Sequence, residues 1–309
     1  MLSRLFKRSD PRTILFISLS NIGDIILTFP VFDALCDAYP QALFSIVVSA
    51  KGKSFFEGHP RVQRIHVLAK HHGLREKVRW LSELRRQKFD LIVDLRNSML
   101  PFLARGRRRT LPVLLGEGQG HMREKHLRRV KQILGTIPLA RDRQALYWDQ
   151  KDDHMVSGLL NGFRDYIVLA PGAADNKKRW PEERFTGLIH SLMAEKSRKI
   201  VLVGDHNDAK ISEKILASLP GGVLDLCGRT SLKELGLVLK QARLAIVNDS
   251  GIMHLASYID TPVIALFGPT DPRCYGPWGK NGVLVRSSSG RMADLEVNDV
   301  IHAVIKAGV

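Results

Sequence analysis

The chain has 309 residues, 44% of them hydrophobic, and a formal net charge of +16. That length allows two ordinary domains, and that apolar fraction argues against a disordered chain. Its longest apolar runs, such as Ile14–Leu19 and Val263–Phe267, are strand-sized and too short to span a bilayer, and three scattered cysteines (Cys36, Cys227, Cys274) suggest neither a disulfide framework nor a metal knuckle.

In chain order, Met1–Arg12 is polar and basic with no small-residue cleavage site after the apolar run that follows, so no signal peptide is expected. In the first half, Ile14–Leu19, Phe44–Ser49, Ile65–Leu68, Leu91–Leu95 and Val113–Leu115 read as strands. Asp24–Ala38 and Leu74–Gln87 read as helices by their apolar spacing. Thr136–Lys151 carries a proline, mixed charge and no sustained period, which places a domain break there: residues 1–150 and 151–309. In the second half the strands are Tyr166–Ala170, Lys199–Val203, Val223–Leu226, Leu244–Val247 and Val263–Phe267. The helices are Pro181–Lys196, Asp208–Leu219, Leu232–Gln241 and Gly251–Tyr258, with a last one over Leu295–Ala307 that could pack on either domain. Apolar strands alternating with helices predict an α/β chain: two Rossmann-like domains with parallel sheets, facing each other across a cleft. Ligands of such sheets bind at the carboxyl ends of strands, so the strand-to-helix loops carry the functional argument.

Ser20-Asn21-Ile22-Gly23-Asp24 joins the first strand to the first helix. Asp24 reads either as the helix cap or as a carboxylate that takes a proton from a substrate hydroxyl, and the two are compatible. The dinucleotide fingerprint G-x-G-x-x-G is absent, which removes support for NAD. In "APGAADNKKRWPEERF", residues 170–185, Pro171-Gly172 forces a turn and Ala173 and Ala174 let the backbone approach a ligand. Lys177 or Lys178 then supplies a point charge for a phosphate, just before a helix start marked by proline and two acids. Asp205–Asp208 reads as a helix cap or as a carboxylate for a ribose, and Arg229–Leu232 as a base contact or a helix start. "NDSGIMHLASY" places Asp249, Ser250, Gly251 and His254 where a strand gives way to a helix, whose free N–H groups can hold an anion. Asp249 would repel a phosphate; its expected work is to orient the loop, bind a sugar hydroxyl or cooperate with a cation. Thr270 closes the next strand and offers a hydroxyl. D-x-D, G-x-S-x-G and H-E-x-x-H are all absent, so a metal-bridged nucleotide, the common serine hydrolases and the zincins find no motif.

Taken together, "SNIGDIILTFP", "PGAADNKKRWPEERF" and "NDSGIMHLASYIDTPVIALFGPTDP" resemble glycosyltransferase family 9, the lipopolysaccharide heptosyltransferases. The resemblance implies a GT-B fold with the acceptor on the N-terminal domain and the nucleotide-sugar on the C-terminal one. It implies inverting, metal-independent transfer of heptose from ADP-heptose to the lipopolysaccharide inner core, with no cofactor required. By the same resemblance Asp24 is the general base and Lys178 contacts the donor phosphate. Asp249, Ser250, Gly251 and His254 form the donor loop, and Thr230 lines the adenine pocket. Ala173 and Ala174 depart from the hydroxyl residues of several relatives, and Ser250 from a frequent threonine, which leaves open a family member with another donor or acceptor. A nucleotide-sugar epimerase and a non-catalytic polyanion-binding protein are the remaining alternatives.

Residues 1–155 hold 28 Lys/Arg and 15 Asp/Glu, so 28 − 15 = +13; residues 156–309 hold 19 and 16, so 19 − 16 = +3. This lopsided charge suits an anionic, lipid-linked acceptor met by Lys51, Lys53, Arg105, Arg107, Arg108, Arg109 and the basic run Arg123–Lys131. The expected place is the cytoplasmic face of the inner membrane, bound peripherally, with no nucleic-acid partner.

Overall fold

The computed structural model describes residues 10–68, 73–112, 119–135, 142–196, 198–279 and 281–308. The chain divides into two compact units: one runs to Gly118 and takes in Arg123–Tyr147, the other comprises Gln119–Met122 and Trp148–Val309.

The first unit is built from β1 (Thr13–Ile17), α1 (Ile22–Leu27), α2 (Phe29–Ala38), β2 (Leu43–Val48), α3 (Lys53–Phe56), β3 (Val62–Val67), α4 (Leu74–Arg85), β4 (Lys88–Asp94), α5 (Leu100–Leu103) and β5 (Arg105–Arg109), with α6 (Met122–Leu134) starting at its border. The five strands order as β3-β2-β1-β4-β5, every pair parallel. Alternation along β1 sorts the core. Phe16 joins Phe32 and Phe44 on the α2 side, where Phe29, Phe55 and Phe56 add edge-on contacts. Leu15 and Ile17 face Leu84 of α4 and Ala104 on the other side. Each of those fully buried rings contributes about 2–3 kcal/mol by leaving water.

Two expectations change here, and a third falls outside the described residues. Asp24–Ala38 is two helices, because Pro30 has no N–H to donate back into α1; Thr28 sits between them and its hydroxyl donates to Ile25 O at 2.6 Å. The edge strand beside β4 is "RGRRR", Arg105–Arg109, while Val113–Leu115 lies outside the described residues. Asp24 does not cap α1: Asn21 holds that position, and its side-chain amide donates to Asp24 Oδ2 at 2.9 Å.

The second unit continues with α7 (Gln150–Leu160), β6 (Tyr166–Ala170), α8 (Glu182–Lys196), β7 (Lys199–Leu202), α9 (Ala209–Ala217), β8 (Val223–Asp225), α10 (Leu232–Gln241), β9 (Leu244–Asn248), α11 (Gly251–Tyr258), β10 (Val263–Phe267), α12 (Pro272–Tyr275), β11 (Gly282–Arg286) and α13 (Val297–Lys306). Its six strands order as β11-β10-β9-β6-β7-β8, again all parallel. β6, β9 and β10 are buried along their whole length, as strands covered on both faces must be. The final helix α13 packs within this unit, contributing Val300, Ala303 and Val304 to its core.

Both sheets reverse their winding direction once. In the first unit the reversal lies between β1 and β4, in the second between β6 and β9. Those are the points where the loops on either side part and leave room for a ligand.

Candidate functional site

In the second unit the loops that leave β6 and β9 flank the reversal point. One side chain, Asn248 at the end of β9, joins them. It is fully buried; its Nδ2 donates to Pro171 O at 2.8 Å and its Oδ1 accepts from the Trp180 backbone N–H at 3.2 Å. Trp180 is itself locked, with its indole N–H donating to Leu295 O at 2.8 Å and its ring edge-on to Phe185. Between these anchors the chain turns tightly at Gly172, where a Cβ would fall 2.2 Å from the Asp208 carboxylate. Asp208 comes from the loop after β7 and accepts from Asp205 N–H at 3.0 Å while Asp205 Oδ1 accepts from the N–H groups of Asn207 and Asp208. Burial raises the Asp208 pKa, against the hydrogen bond from Asp205 and the charge of Arg179. Asp205 and Asp208 thus form a capping box over this turn.

Held in this way, the loop separates its two lysines. Lys177 is exposed, whereas the Lys178 ammonium lies 2.8 Å from Asp249 Oδ2. That contact is an ion pair without hydrogen-bond alignment, since Oδ2 has no hydrogen-bond partner. Asp249 is 5% exposed and Lys178 29%, so the pair lies at the boundary between protein and solvent. Ala173 is buried with its carbonyl accepting from Arg179 Nε at 2.8 Å, and Ala174 is exposed.

Next to this pair α11 begins. Ser250 is its N-cap residue, yet its hydroxyl makes no capping bond and Ser250 Oγ is buried without any hydrogen-bond partner. The first amides of α11, starting at Gly251, are thus left with an uncommitted hydroxyl beside them and a cation close by, which is a donor set for an oxyanion. His254, one turn on, is buried, and its Nδ1 also has no partner. Burial pushes its pKa down to about 3, helped by the charges of His121 and Lys178, so the ring is neutral at physiological pH. It stacks on Trp278 at 5.4 Å; Trp278 in turn meets the His121 ring edge-on at 5.6 Å, and His121 Nε2 donates to Gly276 O at 3.0 Å. Nothing in the sequence pattern pointed to Trp278 or His121, because their contacts with this loop bridge separations that local spacing does not encode.

Thr230 is half-buried before α10, whose cap is Ser231, and stands at the end of β8, two strands from β6. Thr270 is half-buried after β10.

In the first unit the reversal point holds Asp24, half-buried on the first turn of α1 after β1. Across from it β4 ends in Asp94, whose carboxylate accepts from Arg96 N–H at 2.8 Å, from Ser98 N–H at 2.6 Å and from Ser98 Oγ at 3.0 Å. That turn delivers the Arg96 guanidinium to Ser20 Oγ at 2.7 Å, and Ser20 O accepts from Ser49 Oγ at 2.6 Å. Arg96 was not singled out from the sequence; its position directly after a strand at the carboxyl edge was the available signal.

The basic residues assigned to the acceptor divide by environment. Lys51 is exposed, and Lys53 pairs with Glu57 at 2.8 Å. Arg105 and Arg107 point outward from the edge strand, Arg107 3.8 Å from Asp90. Arg108 donates to Ile133 O at 3.0 Å, and Arg109 to Pro101 O and Gly106 O at 2.8 and 3.0 Å, so these two hold the fold of the edge. In the basic run of α6, Arg129 is buried and donates to Leu95 O at 2.9 Å. Among the described residues no group of three or more His, Cys, Asp or Glu side chains gathers as a metal site, and no helix is long and apolar enough to cross a membrane.

Comparison with known proteins gives the fold and the family. The chain is 27% identical to lipopolysaccharide heptosyltransferase 2 of Salmonella typhimurium over 310 residues, covering 90% of this chain and 88% of that one. The structure of Escherichia coli heptosyltransferase WaaC with ADP superposes with a TM-score of 0.81 at 22% identity, over 96% of this chain and 99% of that one. A glycosyl transferase family 9 protein from Veillonella parvula gives 0.82 at 20% identity, over 96% and 97%. The fold is GT-B. The profile of glycosyltransferase family 9 (heptosyltransferase) matches residues 130–305, which take in the loop after β6, Asn248 and the start of α11, and the chain belongs to that family as a glycosyltransferase.

Proposed function

We propose that the chain moves a heptose from ADP-heptose onto the lipopolysaccharide inner core by a single inverting displacement that needs no metal ion. The observation that carries this reading is the Lys178–Asp249 pair beside the uncapped start of α11, with Ser250 Oγ and His254 Nδ1 uncommitted. A diphosphate fits that donor set: Lys178 supplies the counter-charge, the Gly251 end of α11 supplies amides, and Asp249 is free to accept from a sugar hydroxyl.

The acceptor oxygen attacks the anomeric carbon as the bond from that carbon to the diphosphate oxygen breaks. Asp24 receives the acceptor proton, and ADP leaves with the bonding pair. Lys178 and the α11 amides meet the charge that builds on the departing oxygen, which is where a fixed donor lowers the barrier. One displacement at one carbon inverts its configuration. The names of the relatives support the donor and acceptor, the 1–150 and 151–309 halves take acceptor and donor respectively, and the +13 charge of residues 1–155 suits a polyanionic acceptor at the cytoplasmic face of the inner membrane.

The test is a panel of nucleotide-sugars screened for thermal stabilisation, then transfer to a membrane lipid extract with the anomeric configuration of the product read by NMR. ADP-heptose alone giving both effects, with the rate kept in EDTA, is the expected result; a retained anomeric configuration or a rate lost in EDTA overturns the mechanism. A second reading, a family 9 transferase with a different donor or acceptor, is favoured by Ala173 and Ala174, which offer a diphosphate only backbone amides. Stabilisation by another nucleotide-sugar selects it.

A further inference from the structure

Exposed apolar side chains concentrate on one layer of the first unit. Leu74 is 80% exposed, Val78 60%, Met99 66%, Phe102 46%, Leu103 41% and Leu111 66%. Topology places them together. The chain steps in one direction across the sheet from β1 to β3 and in the opposite direction from β3 through β4 to β5. Right-handed crossovers then put α4 and α5 on the same face. Trp80 and Leu84 of α4 and Leu100 and Ala104 beside β4 accordingly share one buried cluster. Met99 and Leu111 follow β4 and β5, and Leu74 opens α4 after β3, so all three belong to the carboxyl edge that also holds Asp24 and Arg96.

α4 shows why its apolar residues stay in water. Trp80 and Leu84, four apart, face the sheet; Leu74 and Val78, also four apart, lie on a different stripe of the helix. That stripe is bordered by basic groups. Residues 74–86 hold five Arg/Lys and two Asp/Glu, so 5 − 2 = +3. A groove of about 630 Å³ is lined by Leu74, Val78 and Ser82 with Arg75, Arg79 and Arg86, and one acid on it, Glu83, is paired with Arg79 at 3.4 Å. Outside α5, Arg105 and Arg107 are exposed on the edge strand, and Arg109 lies 5.6 Å over the Phe102 ring.

We propose that this layer docks on an anionic lipid surface, with Leu74, Val78, Met99, Phe102, Leu103 and Leu111 entering the acyl boundary and Arg75, Arg79 and Arg86 meeting lipid phosphates. The inference rests on the acceptor being lipid-linked, and it assigns the contact to residues other than those expected to hold the sugar. An apolar stripe with an arginine border is the composition of an interfacial helix. A second copy of the chain is a poor occupant, because a two-fold contact would set Arg75, Arg79 and Arg86 against themselves. Docking at this edge presents Asp24 to a lipid-linked sugar that stands only a short way out of the bilayer.

The experiment is co-sedimentation with vesicles of phosphatidylcholine alone, and of phosphatidylcholine mixed with phosphatidylglycerol, at about 0.15 M salt. The unaltered chain binds the anionic vesicles and not the neutral ones. Leu74→Ser with Val78→Ser, and separately Phe102→Ser, each weaken that binding by about tenfold or more while the melting temperature and transfer to a deacylated, water-soluble acceptor stay unchanged. Vesicle binding that the variants leave intact overturns the assignment, as does a dimer that the variants dissociate. Normal transfer to the soluble acceptor with no vesicle binding overturns the docking surface and leaves the transferase reading standing. Vesicle binding lost in the variants of a chain that transfers nothing has the opposite meaning.

Discussion

Lys178→Ala tests two roles for one ammonium group, the ion pair seen in the structure and the diphosphate contact proposed above. The first is to neutralise Asp249, 2.8 Å away and only 5% exposed. Breaking one side of a buried ion pair costs about 3–5 kcal/mol. Lys178 is 29% exposed, so water reaches the pair and the cost falls to about 1–2 kcal/mol. For a unit of this size that is a loss of about 2–8 °C in melting temperature. The second, proposed role is to meet charge on the leaving diphosphate, where removal of one oxyanion donor typically costs about 2.7–4 kcal/mol, about 10²–10³ in kcat. Asp249→Asn distinguishes the two, because it removes the charge that Lys178 neutralises. Lys178→Ala/Asp249→Asn should recover the melting temperature of the single variant's parent while turnover and ADP-induced stabilisation stay low. The assay pairs thermal shift with and without ADP against single-turnover transfer. Recovery of turnover along with stability would show that Lys178 serves Asp249 only, and would refute its placement on the diphosphate.

Asp24→Asn should lower turnover by about 10²–10⁴ with donor affinity nearly unchanged, read by comparing kcat with ADP-sugar binding; equal turnover removes Asp24 as the base. Gly172→Ala places a Cβ 2.2 Å from the Asp208 carboxylate and should cost about 1–3 kcal/mol, with a matching loss of donor affinity because the same turn carries Lys178; an unchanged melting curve would show that the turn yields. Stability should also depend on pH. Burial holds His254 down to about 3 and His126 down to about 4, both below the ordinary histidine value of 6.5. Below 6.5 the unfolded chain takes up protons that the folded chain refuses, so stability is complete above that value and declines as pH falls toward 3–4. His254→Gln should flatten the decline, measured as melting temperature against pH.

The strands that a reader could find were the ones buried on both faces. "YIVLA" and "VIALF" are continuous apolar runs, and their ends fall at Tyr166–Ala170 and Val263–Phe267. The edge strand "RGRRR" has no such signature, because Arg105 and Arg107 point to solvent and Arg108 and Arg109 lie along backbone carbonyls at the rim instead of entering the core. Helices α6 and α7 leave little trace in the sequence for a related reason: each buries a narrow stripe under mostly polar residues. Within the candidate site, the grouping of Asp249, Ser250 and His254 at a strand-to-helix turn was legible because they follow one another in sequence. The grouping of Lys178 with Asp249 and of His121 with Trp278 depends on strand order, which local spacing does not state.

Asn248 carries a consequence beyond stability. A single amide clasps Pro171 with its nitrogen and Trp180 with its oxygen, so the span between them is a noose whose neck has a fixed width. The lysine on that span is tethered at both roots to Asn248, the residue next to its acidic partner. If the diphosphate binds there as proposed, its seat keeps its shape between one donor and the next, and lengthening the span by insertion would alter reach without loosening the knot.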